Sequence, residues 1–231
     1  MHEIEIRSEI VNRVLARRGR FHLFDSLEPS KSALVVIDMQ GTFVAEGSPA
    51  EVPAARGIIG NINALTDNLR PLGVKIIWVT HANANDGTGS DWDGFFRHFV
   101  GEDVRQKTID SLAPEGEGQK IWRDLSVESS DIKVLKNRYS ALIPGSSQLE
   151  RILRSHGIQN VMVAGTKTNV CCEATGRDAM MMDFNVVMVS DCLAALSDEE
   201  HRASLETFIQ QFGDVMTSSE VVSALSQLKN A

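Results

Sequence analysis

The chain has 231 residues, of which 42% are hydrophobic and 23% charged, proportions that exclude intrinsic disorder, collagen and extended coiled coil. Its 23 Lys and Arg against 31 Asp and Glu give a net charge of -8, which argues against a general nucleic-acid binder, because phosphate contacts need clustered cations. Three cysteines, two of them adjacent, do not make a disulfide framework; together with the lack of a membrane-length apolar run or a signal-peptide core, they point to the cytoplasm and away from membranes.

In chain order, residues 1–30 read as an N-terminal arm. Within it residues 10–20 carry Arg13, Arg17, Arg18 and Arg20 and suggest a short basic helix, either docked or frayed. From residue 31 to 231 short apolar runs alternate with amphipathic stretches, as in a single domain. The runs at 33–38, 74–80, 132–136, 160–165, 185–191 and 213–217 are rich in β-branched residues and predict strands buried on both faces. Helical spacing appears at 53–72, at 147–156 with Gly157 as a stop, at 170–183 and at 198–212. Strand–helix alternation predicts an α/β fold: three layers, α/β/α, around a Rossmann-like, mostly parallel six-stranded sheet. One stretch breaks the alternation. Residues 81–130 form a long insertion carrying Trp92, Phe95, Phe96, Phe99 and Trp122, readable as a substrate lid or as a surface excursion with its own small core.

Ligands of open parallel sheets bind beyond the carboxyl ends of the strands. The first predicted strand ends in Asp38 and the third in Lys136; the fourth ends in Gly165 and leads through Thr166-Lys167-Thr168-Asn169-Val170 to Cys171. Cys171 then falls in the first turn of a predicted helix, where free N–H groups and the helix dipole favour a thiolate. A nearby Lys136 ammonium would lower the thiol pKa further. Asp38 is placed to take the thiol proton and return it to a leaving amine. The turn at Gly165–Thr168 would face a developing oxyanion. Each residue taken singly also has a plain structural reading, as a cap, a solvated charge or small core filler.

The segments Ala33-Leu34-Val35-Val36-Ile37-Asp38-Met39-Gln40 with Phe43, Lys136-Asn137-Arg138-Tyr139-Ser140-Ala141, and Gly165 through Ala179 together resemble the motifs of the isochorismatase-like cysteine hydrolases. Their order and spacing match over residues 30–220. The resemblance implies Asp38 as general base, Lys136 as charge-positioning residue and Cys171 as nucleophile. It implies a cis peptide at Thr166–Lys167 and an oxyanion site from the backbone N–H groups of Lys167 and Cys171. Lys167 stands where the family commonly has a small residue, so its side chain either reaches the pocket or points to solvent. Cys172 replaces a usual Val as packing, and Cys192 reads as structural, following the fifth strand. The implied substrate pocket draws on Gln40, Phe43, Trp92, Tyr139 and Lys167.

Nicotinamidases of this family bind zinc through an Asp-x-His and a further His. Here the comparable region reads Asp91-Trp92-Asp93, an expected Asp is replaced by Thr42, and the six histidines show no ligand pair. The expectation is no metal, no cofactor and no nicotinamidase activity. True isochorismatases lack the cysteine, so Cys171 favours C–N hydrolysis of a small amide or ureido compound through a thioester. Within the family the ureidoacrylate and N-carbamoylsarcosine amidohydrolases are the nearest in pattern, with maleamate amidohydrolases and streptothricin hydrolase also similar. A vinyl-ether hydrolase and a non-catalytic binding protein on the same fold are the alternatives. The family's habit of forming dimers or tetramers implies a homo-oligomer, with the basic arm lying across a neighbouring subunit.

Overall fold

The computed structural model describes residues 2–83, 91–114 and 116–226. Six strands form one sheet: β1 (Ser32–Ile37), β2 (Lys75–His81), β3 (Ile132–Lys136), β4 (Asn160–Thr166), β5 (Asn185–Ala194) and β6 (Asp214–Met216), in the order β3-β2-β1-β4-β5-β6. Every pairing is parallel. The order reverses between β1 and β4, which places a crevice at their carboxyl ends.

The alternation of side chains along β1 separates the two cores. Ala33, Val35 and Ile37 face one layer and Leu34 and Val36 the other. Helices α1 (Ser8–Arg18), α6 (Leu149–Ser155), α7 (Glu173–Met181) and α8 (Asp198–Gln211) cover the first face. Helices α2 (Gly41–Val44), α3 (Ile59–Leu69) and α9 (Ser218–Ser226) cover the second. The expected helix at 53–72 is α3 flanked by 3-10 turns at Pro53–Ile58 and Arg70–Leu72. Pro71 in the second of these turns lacks the N–H that continuing α3 would require, whereas Pro53 opens the first, where no such N–H is needed. Helices α4 (Asp93–His98) and α5 (Glu102–Ser111) belong to the long insertion, of which residues 84–90 and 115 lie outside the described set. No helix among the described residues is long and apolar enough to cross a membrane.

One expectation needs correction. Strand β5 runs on to Ala194, so Cys192 lies within it, buried, rather than after it. The basic arm docks on its own chain. Arg7 pairs with Glu206, and Arg13 and Arg17 bond Gln210 and Gln211 at the end of α8. Ile10 and Val14 bury one face of α1. The spacing of these residues gives α1 an apolar stripe, and an adjacent apolar surface of its own domain satisfies it.

Candidate active site

The crevice gathers residues from four strand ends. Asp38 follows β1, His81 ends β2, Lys136 ends β3, and Cys171 lies in a π-helical turn, Thr168–Cys172, between β4 and α7. Such turns recur at functional sites. Lys136 and His81 are register partners on neighbouring strands. The long lysine therefore reaches across β2 to the end of β1, where Nζ lies 2.9 Å from Asp38 Oδ2. Nζ also donates to the Arg138 carbonyl at 3.0 Å and to His81 Nδ1 at 3.2 Å. Three acceptors thus fix a fully buried ammonium.

These bonds also fix the imidazole. Because Nδ1 accepts from Lys136, His81 carries its proton on Nε2, which donates to Asn83 Oδ1 at 3.0 Å. Burial and then the Lys136 charge hold the His81 pKa down at about 3. The ring is neutral throughout the working pH range. Sequence analysis leaves His81 in the insertion, although the strand-end rule that selects Asp38 applies to it equally.

Asp38 adopts a left-handed φ of 55°, a conformation Asp tolerates better than most residues. Its backbone N–H bonds Val79 O at 2.8 Å. Burial raises its carboxyl pKa, opposed by Lys136 and then by the neighbouring Cys171. Burial works to lower the Lys136 pKa, but Asp38 and Cys171 together outweigh it and the net shift is upward. For Cys171, burial and then the Asp38 charge push the thiol up to about 12, against the pull of Lys136. This corrects the expected thiolate. Burial and the neighbouring Asp38 both favour the protonated thiol.

Gly165 explains how β4 comes so close to β1. Its φ is +108°, and a Cβ there would stand 2.0 Å from Ile37 O. The Thr166–Lys167 peptide is cis. Thr166 Oγ1 donates to Ala194 O at 3.2 Å, and Thr168 Oγ1 bonds the buried His201 Nδ1 at 2.8 Å. Cys172 is fully buried, with its sulfur 3.8 Å from Ala164 O, so it faces the sheet and not the crevice.

Of the expected pocket residues, Phe43, Trp92, Tyr139 and Lys167 line one cavity with Cys171. Gln40 does not. It is fully buried, accepts from His81 N at 2.6 Å and donates to His81 O at 3.0 Å, with Gly118 and Gln119 carbonyls near by. It ties the insertion to the end of β1 and has no group left for a substrate. Phe95 and Phe96 of α4 join the cavity wall, so part of the insertion covers the site. Trp122 packs elsewhere, against the second core. Thr42 Oγ1 bonds the Ser111 hydroxyl and the Gly118 carbonyl, at 2.7 and 3.0 Å, again pinning the insertion. Asp91 accepts from Asn137 Nδ2 at 2.8 Å. Among the described residues no three His, Cys, Asp or Glu side chains are grouped as metal ligands.

The isochorismatase domain model matches residues 32–220. A probable inactive nicotinamidase of Arabidopsis thaliana is 31% identical over 176 residues, covering 75% of this chain and 86% of its own. The ureidoacrylate amidohydrolase RutB of Rhizobium rhizogenes is 29% identical over 222 residues, covering 87% of this chain and 86% of its own. A solved cysteine hydrolase from Pseudomonas syringae pv. phaseolicola superposes with a TM-score of 0.77 at 28% identity, over 86% of this chain and 94% of that one.

Proposed function

This chain belongs to the isochorismatase family, and from that membership we propose that it is a cysteine amidohydrolase cleaving the C–N bond of a small amide or ureido compound. The observation that carries the reading is the buried group of Asp38, Lys136 and Cys171: a carboxyl and an ammonium 2.9 Å apart, with the free thiol buried in the same crevice. One relative is named a ureidoacrylate amidohydrolase and one superposable structure a cysteine hydrolase, while another relative is named a probable inactive nicotinamidase.

In the proposed cycle the Asp38 carboxylate takes the Cys171 proton as the sulfur attacks the carbonyl carbon. A C–S bond forms and the carbonyl oxygen becomes an oxyanion, met by the backbone N–H groups of Lys167 and Cys171. Collapse breaks the C–N bond, and Asp38 returns the proton to the leaving nitrogen. Water then attacks the thioester, giving its proton to Asp38. The acid departs and the sulfur recovers its proton. A thiol with a pKa of about 12 is a weak nucleophile at rest, so deprotonation has to accompany attack, which is the work of a contiguous base. Lys136 favours the ionised form of Asp38 against its burial, and neutral His81 aligns Lys136 without adding charge. The cysteines, all free and buried, suit a reducing cytoplasm.

The test is ammonia release from a panel of primary amides and carbamoyl compounds, with Cys171→Ala as control. Release that disappears in the variant supports the proposal. Ammonia release that survives Cys171→Ala removes the cysteine mechanism. No turnover of any amide, with an unreactive Cys171, favours a non-catalytic protein.

A further inference from the structure

We propose that the acyl part of the substrate is a neutral, apolar group about the size of a benzene ring, and not an anionic ureido acid. This rests on the amidohydrolase reading and narrows it. The cavity beside Cys171 has a volume of about 150 Å³. A dry apolar cavity of about that size takes up benzene.

The wall decides the chemistry. Its lining is mainly apolar and includes Phe43, Trp92, Phe95, Phe96, Leu112 and Val170. The aromatic rings brace each other: Trp92 stacks on Phe95 at 4.6 Å, and Tyr139 meets both edge-on, at 4.8 and 5.6 Å. Edge-to-face and offset contacts of this kind hold the rings in a fixed shape. Aromatic side chains therefore form a box, not a loose surface.

The polar wall groups are few, and two of them, Thr108 and His81, are engaged within the protein. Thr108 Oγ1 donates to Val104 O at 2.9 Å. His81 uses both ring nitrogens, on Lys136 and Asn83. Among the described residues no Asp, Glu, Asn, Gln or Arg side chain lines the cavity. Arg138, outside the lining, lies 5.1 Å from the Trp92 ring, with its guanidinium on the carbonyls of Asn137 and Asp91. Lys136 is turned to Asp38. Lys167 is the one wall cation among the described residues, and it is partly exposed. A ureido acid brings N–H donors and a carboxylate that each need a partner once desolvated. One partly hydrated lysine offsets little of that cost. A neutral apolar acyl group needs no partner and gains from the burial. The carboxamide itself would sit at the mouth of the oxyanion turn, against Cys171.

The experiment uses the full-length protein. kcat/KM for ammonia release is measured on benzamide and 2-methylpropanamide, as neutral amides, and on succinamate and 3-ureidopropanoate, as anionic ones. Binding of the same four to Cys171→Ala is measured by calorimetry, which reads the cavity without the chemistry. The expected result is a preference of at least about 100-fold for the neutral amides, since an unpaired buried carboxylate costs several kcal/mol. It should be matched in binding and carry a negative heat-capacity change for benzamide. Equal or better turnover and binding of the anionic compounds overturns the proposal and leaves the amidohydrolase reading standing. Ammonia from none of the four sinks the hydrolase reading instead. The binding comparison then decides the cavity by itself: tighter neutral amides uphold the ligand class, and tighter anions or no binding overturn it.

Discussion

Replacing Lys136 by Met removes one partner of a buried ion pair and little of the packing volume. At 2.9 Å and an effective dielectric near 20, the lost attraction is about 6 kcal/mol. Relief from burying the ammonium offsets part of it, so a net loss of about 3–5 kcal/mol is expected. Asp38 has an escape, which is to take up a proton. Burial already raises its pKa with Lys136 in place, and without Lys136 the pKa rises further. A carboxyl whose folded pKa lies above its unfolded value contributes stability below the unfolded value, and that stability is lost as pH rises through the folded one. The penalty of Lys136→Met should thus be small in acid and grow towards neutral and alkaline pH. Urea unfolding of both proteins at about pH 5 and about pH 8 reads this directly. A gap below about 1 kcal/mol that does not change with pH would show that Asp38 and Lys136 do not pair as charges.

Other substitutions separate the roles. Cys171→Ala should lower ammonia release by at least about 10³-fold, while Cys172→Ala, facing the Ala164 carbonyl, keeps most of it; the reverse would place the nucleophile at Cys172. Asp38→Asn removes the charge that helps to push Cys171 up to about 12, so iodoacetamide alkylation should begin at lower pH although turnover falls. An unchanged alkylation profile would show that Asp38 does not face the sulfur. Gly165→Ala puts a Cβ 2.0 Å from Ile37 O at a φ of +108° and should cost more than about 2 kcal/mol, visible as a lowered Tm; an unaltered Tm would refute the close approach. Gln40→Leu should lower kcat with little change in KM, since Gln40 holds backbone and touches no cavity. A raised KM at constant kcat would return it to the substrate pocket.

Much of this arrangement is legible in the sequence because β-branched runs mark buried strands and parallel sheets bind ligands at strand ends. Asp38, Lys136 and Cys171 stand out on that rule before any resemblance is used. The rest depends on distances that sequence does not carry. Gln40 looks like a pocket residue until its partners, the backbone of His81 and of Gly118 and Gln119, are seen. Those partners lie about 40 to 80 residues away, with separations of 41, 78 and 79. The thiol is a sharper case. A helix start and a lysine suggest a thiolate, and both are present, but complete burial beside Asp38 outweighs them. The basic arm reads as a reach towards a second subunit, while the acceptors it meets are on α8 of its own chain. His81 is a missed residue of a different kind, since it sits at a strand end in plain view and was absorbed into the long insertion.

The central claim is that Cys171 carries the acyl group as a thioester. Intact-protein mass spectrometry of enzyme acid-quenched during ammonia release, followed by peptide mapping, tests it most directly. The account predicts a mass increase equal to the substrate acyl group, located on Cys171, discharged by hydroxylamine and absent from Cys171→Ala. Ammonia release at full rate with no acyl adduct, and undiminished in Cys171→Ala, would contradict it.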